Sequence, residues 1–323
     1  MKFHLNYKHP EQPCKISHKD KILLIGSCFS EHIGEKLSEA KFNCHINPNG
    51  ILFNPSSISQ AIRTYLQPDL FSEKLIIQSD NLFHSYQHHG SFSDSDKNTL
   101  LNKISEELNT ANKVLKSAGY LILTFGTAHV FKLNETNNIV ANCHKLPQQN
   151  FTRHCLQPAE IINDYHLLIT AIRKINPSIK IIFTVSPVKY LREGLIENNR
   201  SKSILNYSVH EIIRQNTDCF YFPAYEIVTD DLRDYRFFKS DLSHPNELAI
   251  EYVWGQFSSG FFTEETINLC KELAEITKAA SHRPIHPETT QHATFKNNYL
   301  KKCQSILEKY PELSLKQEIK SFT

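Results

Sequence analysis

Residues 21–37, KILLIGSCFSEHIGEKL, join an apolar run to an amphipathic one through Gly26, Ser27 and Cys28. The run KILLIG (21–26) has two relatives in the chain, YLILTFG (120–126) and KIIFTVSP (180–187). All three are short and rich in Ile, Leu, Val, Phe or Thr, and none alternates with polar residues. That pattern describes strands buried on both faces, as in a parallel sheet covered by helices. DCFYFPAYEI (218–227) is a fourth candidate that breaks at Pro223.

Between these runs the apolar spacing is helical. SEHIGEKLSEA (30–40) has Ser30 as its expected N-cap and Ile33 and Leu37 four apart. Further helices are expected over 55–67, 97–119, 158–176, 198–216 and 246–262, several opening at Pro or Ser/Asn and closing at Gly or Asn. Strand and helix in alternation predict a doubly wound α/β sandwich. Ligands bind such sheets at the carboxyl ends of the strands. Three corners then meet at one edge: Gly26-Ser27-Cys28, Gly126-Thr127-Ala128 and Ser186-Pro187-Val188.

The chain of 323 residues is long enough to bury an α/β core without disulfides or metals. Its net charge of +2 provides no overall field for nucleic acid or an anionic membrane, so neither is expected as a partner. MKFHLNYKHPEQPCK lacks the apolar core of an export signal, and no stretch has the ~18 apolar residues of a membrane span. Eight cysteines without a CxxC pair suggest reduced thiols and a cytoplasmic setting. Residues 264–323 hold helical patterns at 264–280 and about 290–309 and no strand. The expected division is an α/β domain over 1–262 and a helical extension over 263–323.

A serine between a strand and a helix N-terminus sits where backbone N–H groups can stabilise an oxyanion. As a nucleophile Ser27 needs a base, and otherwise it merely caps the helix. In FFKSDLSHPNELAIEYVW (237–254), Asp241 and His244 lie three apart on a short turn. The Asp241 carboxylate can fold back onto one imidazole nitrogen, freeing the other for a serine hydroxyl. Cys28 is the rival nucleophile, since a helix N-terminus lowers a thiol pKa.

At these residues the chain resembles the GSCFA family. GSCFSE (26–31) is similar to its name-giving motif, with Ser30 in place of alanine. NPNGILFNP (47–55), HSYQHHGSFS (84–93), LTFGTAHVF (123–131), NCHKLP (142–147), TVSPVK (184–189), FPAYEIVTDDLRDYRF (222–237) and DLSHPN (241–246) resemble it in order. The resemblance implies a place in the SGNH/GDSL hydrolase group, a three-layer α/β/α, flavodoxin-like sandwich with a mostly parallel sheet and here a C-terminal helical appendage. It implies Ser27 as nucleophile with Asp241 and His244 completing a triad. Gly50 matches loosely the glycine that gives a backbone oxyanion donor. The Gly-x-Asn block of the group is Gly126-Thr127-Ala128 here, so its side-chain donor is absent and Thr127 or His129 is the expected substitute.

Other candidates for substrate contact are His88 and His89 in HSYQHHG, Arg153, and Arg233, which shares a face with Arg236 if that stretch is helical. Cys143, His144, His154 and Cys155 have zinc chemistry but not a standard zinc spacing, and no metal or cofactor is expected. Together these readings predict an SGNH-type serine esterase or acyltransferase acting on a small-molecule or glycan ester. The alternative is a noncatalytic carbohydrate- or protein-binding module that keeps the fold.

Overall fold

The computed structural model describes residues 5–323; residues 1–4, where the stretch read for an export signal begins, lie outside the described residues. The chain starts with β1 (Lys21–Gly26), α1 (Cys28–Glu39), β2 (Asn43–Ile46) and α2 (Pro55–Leu66). A hairpin of β3 (Ile76–Ser79) and β4 (Leu82–Ser85) precedes α3 (Lys97–Ser117) and β5 (Tyr120–Phe125). β6 (His129–Leu133), β7 (Ile139–Val140) and β8 (Phe151–Cys155) follow, then α4 (Pro158–Ile175) and β9 (Lys180–Val185). α5 (Gly194–Gln215), β10 (Cys219–Phe222), the single turn α6 (Ala224–Glu226) and α7 (Glu247–Phe261) complete the α/β part. α8 (Glu264–Ala280), α9 (Thr290–Lys309) and α10 (Lys316–Phe322) close the chain.

Five strands form one parallel sheet in the order β2-β1-β5-β9-β10, the flavodoxin-like arrangement. Both faces are buried, which is why the apolar runs do not alternate. Leu23, Ile25, Leu121, Leu123, Phe125, Ile181 and Phe183 face the core under α2 to α5. Ile22, Leu24, Tyr120, Ile122 and Ile182 face the opposite layer with α1 and α7. Each fully buried Leu or Ile contributes ~1.5–3 kcal/mol, so this double-sided sheet is a stiff platform for whatever its edge carries.

Gly26 ends β1 at φ +154°, and a Cβ there would lie 2.3 Å from the Thr124 carbonyl oxygen on β5. Only glycine lets the two strands approach this closely at the corner. The helix begins immediately after it. α1 starts at Cys28 with Ser27 at the N-cap, not at Ser30 as expected. Ser30 is instead buried, its hydroxyl 2.9 Å from that of Thr124. The early start follows from Gly26, which turns the chain within one residue.

The short strands β6, β7 and β8 form an antiparallel sheet in the order β7-β6-β8, and were not expected. Only three residues, Gly126 to Ala128, separate β5 from β6, so this small sheet projects from the same edge as Ser27. After α6 the chain makes a π-helical stretch over Ile227–Leu232, ending at Arg233 with φ 45°. The helical face expected for Arg233 and Arg236 is therefore absent: Arg236 sits in a 3-10 turn and pairs with Asp234 at 2.9 Å. The C-terminal helices have their own apolar cluster, including Leu269, Leu273, Cys303, Ile306 and Leu315. Glu318 of α10, buried, pairs with Lys41 beyond α1. Among the described residues no helix is long and apolar enough to cross a membrane.

Candidate active site at the carboxyl edge of the sheet

The strand ends are laced together by backbone hydrogen bonds. The Ser27 N–H donates to Thr124 O at 3.2 Å, and the Ser186 N–H donates to Phe125 O at 2.8 Å. Gly126 and Thr127 both donate their N–H to Phe53 O, at 2.8 and 2.9 Å. The three corners expected at one edge do meet there.

Ser27 is 2% exposed. Its hydroxyl makes no capping bond to α1 and has no hydrogen-bond partner among the described residues. A buried hydroxyl without a partner is unusual, because desolvating it without compensation is unfavourable by ~1–3 kcal/mol. Its neighbour Cys28 is half-buried, and burial, followed by the Glu31 carboxylate, raises the thiol pKa. The helix N-terminus therefore does not make Cys28 a ready thiolate.

Asp241 and His244 form the bond expected of them. Asp241 Oδ2 lies 2.6 Å from His244 Nδ1, and Oδ1 accepts from the N–H groups of Ser243 and His244 at 2.9 and 3.0 Å. The His244 N–H, then that of Ser243, and the imidazole together hold the Asp241 carboxyl down to about 2. The turn docks on the exit of β9, where the Lys189 N–H donates to Ser243 O at 3.0 Å. The imidazole stays partly exposed and does not hydrogen-bond Ser27.

The expected oxyanion donors are occupied. The Gly50 N–H donates to Asn47 O at 2.7 Å, closing a tight turn at φ +71°, and the Gly126 and Thr127 N–H groups belong to Phe53. The Thr127 hydroxyl is 3.1 Å from Ser201 Oγ and accepts from the His129 N–H at 3.1 Å. Ala128 gives its N–H to Ser201 Oγ at 2.7 Å. A different side chain stands at the corner: Asn47 Oδ1 accepts from the Gly26 N–H at 2.9 Å, while its Nδ2 is buried without a partner among the described residues. The sequence signal for it was the NPNG turn itself, in which only Gly50 drew attention.

Lys202 is the second residue missed. It is 1% exposed, and its Nζ donates to Gly126 O at 2.7 Å and Ser186 O at 2.6 Å, tying the ends of β5 and β9. Burial pulls its pKa down to about 7. It occupies the apolar face of α5 with Leu205, Val209 and Ile212, and a lysine in that register was the available clue.

The remaining candidates scatter. His88 is buried against Phe92, bonded to Ser85 Oγ at 2.8 Å, and desolvation lowers its pKa to about 3; it lies inside, not at a pocket mouth. His89 caps a 3-10 turn through Ser91. Arg153 pairs with Glu193 at 3.1 Å. Arg233 lines a shallow cavity with Lys189 and Tyr235. His144 donates its Nε2–H to Ser85 O at 2.7 Å and stacks on His84, whereas His154 meets Glu160 at 3.1 Å, so the two Cys-His pairs do not converge. His129 is buried, its pKa lowered by desolvation and then by Arg153.

Among solved structures the chain is similar to a carbohydrate esterase family 3 from Talaromyces cellulolyticus, at 12% identity over 78% of this chain and 99% of that one, with a TM-score of 0.36. It is also similar to a Clostridium thermocellum family 3 carbohydrate esterase, at 12% identity over 79% and 98%, with a TM-score of 0.33. No curated protein matches. Residues 273–323 match the model of the GSCFA domain protein, C-terminal domain. Residues 21–257, which carry the whole edge described here, match the model of the GSCFA family, and the chain belongs to that family.

Proposed function

We propose that the protein is a serine esterase or acyltransferase, with an acylated carbohydrate as the substrate class. The observation that carries the reading is the Ser27 hydroxyl: it sits at the N-terminus of α1 and neither caps the helix nor bonds anything else among the described residues. In the reaction Ser27 Oγ attacks the ester carbonyl while its proton passes to His244 Nε2. Asp241 holds Nδ1 and stabilises the imidazolium. The tetrahedral oxyanion takes a hydrogen bond from Asn47 Nδ2, which replaces the donor missing at Ala128. Collapse expels the alcohol, protonated by His244, and water or a second alcohol then attacks the acyl-serine by the reverse proton path.

The reading requires His244 to close on Ser27 when substrate binds, and catalytic hydrogen bonds often tighten only in such complexes. A fluorophosphonate probe tests it. Labelling should be abolished in Ser27→Ala and retained in Cys28→Ala; absence of labelling in the unaltered protein overturns it. The open Ser27–His244 pair and the donorless Ala128 favour the second reading, a binding module that retains the fold.

A further inference from the structure

A cavity of about 360 Å³ opens beside the strand ends, between the loop after β2 and the small β6–β8 sheet. Its walls include Phe53, Phe131, Phe151 and Tyr190. Its charged lining has one sign: Lys145 and Arg192 contribute, and no carboxylate does among the described residues. Arg192 lies over the Phe131 ring, 5.4 Å from its centroid. The nearest carboxylate to it, Glu193 at 3.9 Å, is engaged more closely by Arg153 at 3.1 Å. Arg192 is thus a cation in surplus, presented on an aromatic face.

A second observation points into the same space. His129 also lines the cavity and is 5% exposed, yet neither ring nitrogen reaches a hydrogen-bond partner among the described residues. Glu197 stands 3.8 Å from Nε2, too far for a hydrogen bond. His129 therefore stands at the cavity wall as a buried imidazole whose ring nitrogens have no partner of their own among the described residues.

We infer that this cavity binds a carboxylate or phosphate group carried on a small ring. Arg192 and Lys145 meet the anion, His129 supplies a neutral hydrogen bond, and the ring packs among Phe53, Phe131 and Tyr190. The cavity adjoins the nucleophile: Thr127 and Phe53 line it, and a Cβ on Gly126 would lie 2.8 Å from Phe53 O and 3.3 Å from Ser27 Cβ. For what becomes of the ligand, the inference rests on the esterase reading. The substrate is then an ester of an anionic ring compound, in the manner of an acylated sugar acid or sugar phosphate.

Binding separates the two ideas. The full chain carrying Ser27→Ala is titrated calorimetrically with phenyl phosphate, benzoate and neutral benzyl alcohol. At least one anion should bind about tenfold tighter than benzyl alcohol, the difference expected for one charge-assisted contact. The better of the two anions identifies phosphate or carboxylate as the native group. Adding Arg192→Gln and Lys145→Gln should remove about that tenfold while leaving the weak benzyl alcohol binding in place, which also reports that the cavity is still folded. Equal binding of the neutral probe, or anion binding unchanged in the double variant, overturns the pocket. Anion binding without fluorophosphonate labelling of Ser27 keeps the pocket and removes the esterase; labelling without anion selectivity does the reverse.

Discussion

Gly26 and Thr124 stand so close that a methyl on the glycine would lie 2.3 Å from the Thr124 carbonyl oxygen and 2.8 Å from its Cβ. The corner that presents Ser27 depends on this approach. Gly26→Ala forces β1 away from β5 and demands a positive φ of an alanine, so a loss of about 3 kcal/mol or more is expected. Urea unfolding measures it. Gly255, exposed in α7 with nothing within 4 Å of an added Cβ, is the control: Gly255→Ala should stabilise by about 0.5–1 kcal/mol.

Asp241→Asn tests the 2.6 Å bond to His244. Asparagine presents an N–H where the carboxylate accepted, so it favours the wrong imidazole tautomer, and ester turnover should fall by about 10²–10⁴-fold. The carboxyl titrates at about 2 because three hydrogen bonds favour its charged form. The sign follows. Stabilisation by the carboxylate is complete above the unfolded range near 4 and is lost as pH falls through about 2. The His244 ring resonances of the unaltered protein should therefore report an intact contact at pH 4.5, and a contact already lost there would contradict it.

Much of this was readable in advance, and the reasons are local. Ile22 and Leu23 point to opposite layers yet are both buried, so an unalternating run specified a covered parallel strand. Asp241 and His244 were recoverable because a three-residue turn leaves their side chains little choice. β6 and β8 were not, because HVFKL and FTRHC are half-buried and too mixed in composition to signal strands. Lys202 and Asn47 escaped for a further reason. Their roles are set by what lies across the sheet edge, Gly126 and Ser186 for one and Gly26 for the other, and no spacing along the chain encodes those meetings.

Asn47→Asp separates the two functions of that side chain. The aspartate retains an oxygen for the Gly26 N–H and tolerates the φ of 47° that Asn47 adopts, but loses the Nδ2 donor. If Nδ2 serves the oxyanion, acylation by an activated ester should slow by about 10²–10³-fold. Binding of a product alcohol should be unchanged. Equal acylation rates in the two proteins would remove Asn47 from the reaction.

Lys202 makes the last prediction, and its sign is opposite to that of a surface lysine. Two carbonyls, Gly126 O and Ser186 O, accept from its Nζ, and a neutral amine still has the two hydrogens they need. Deprotonation in the folded chain therefore sacrifices no hydrogen bond and relieves the buried charge. With the folded pKa pulled down to about 7 by burial and the unfolded one at 10.5, the unfolded chain binds more protons between those values. Stability should then rise with pH from about 7 toward 10, by up to ~1.4 kcal/mol per pH unit from this one group. Lys202→Met leaves both carbonyls without that donor, which costs about 1–3 kcal/mol, and removes the titration. Urea unfolding at pH 6.5 and 9 distinguishes them: the unaltered protein gains stability across the interval relative to Lys202→Met. Parallel pH profiles for the two proteins would show that the ammonium stays charged in the fold.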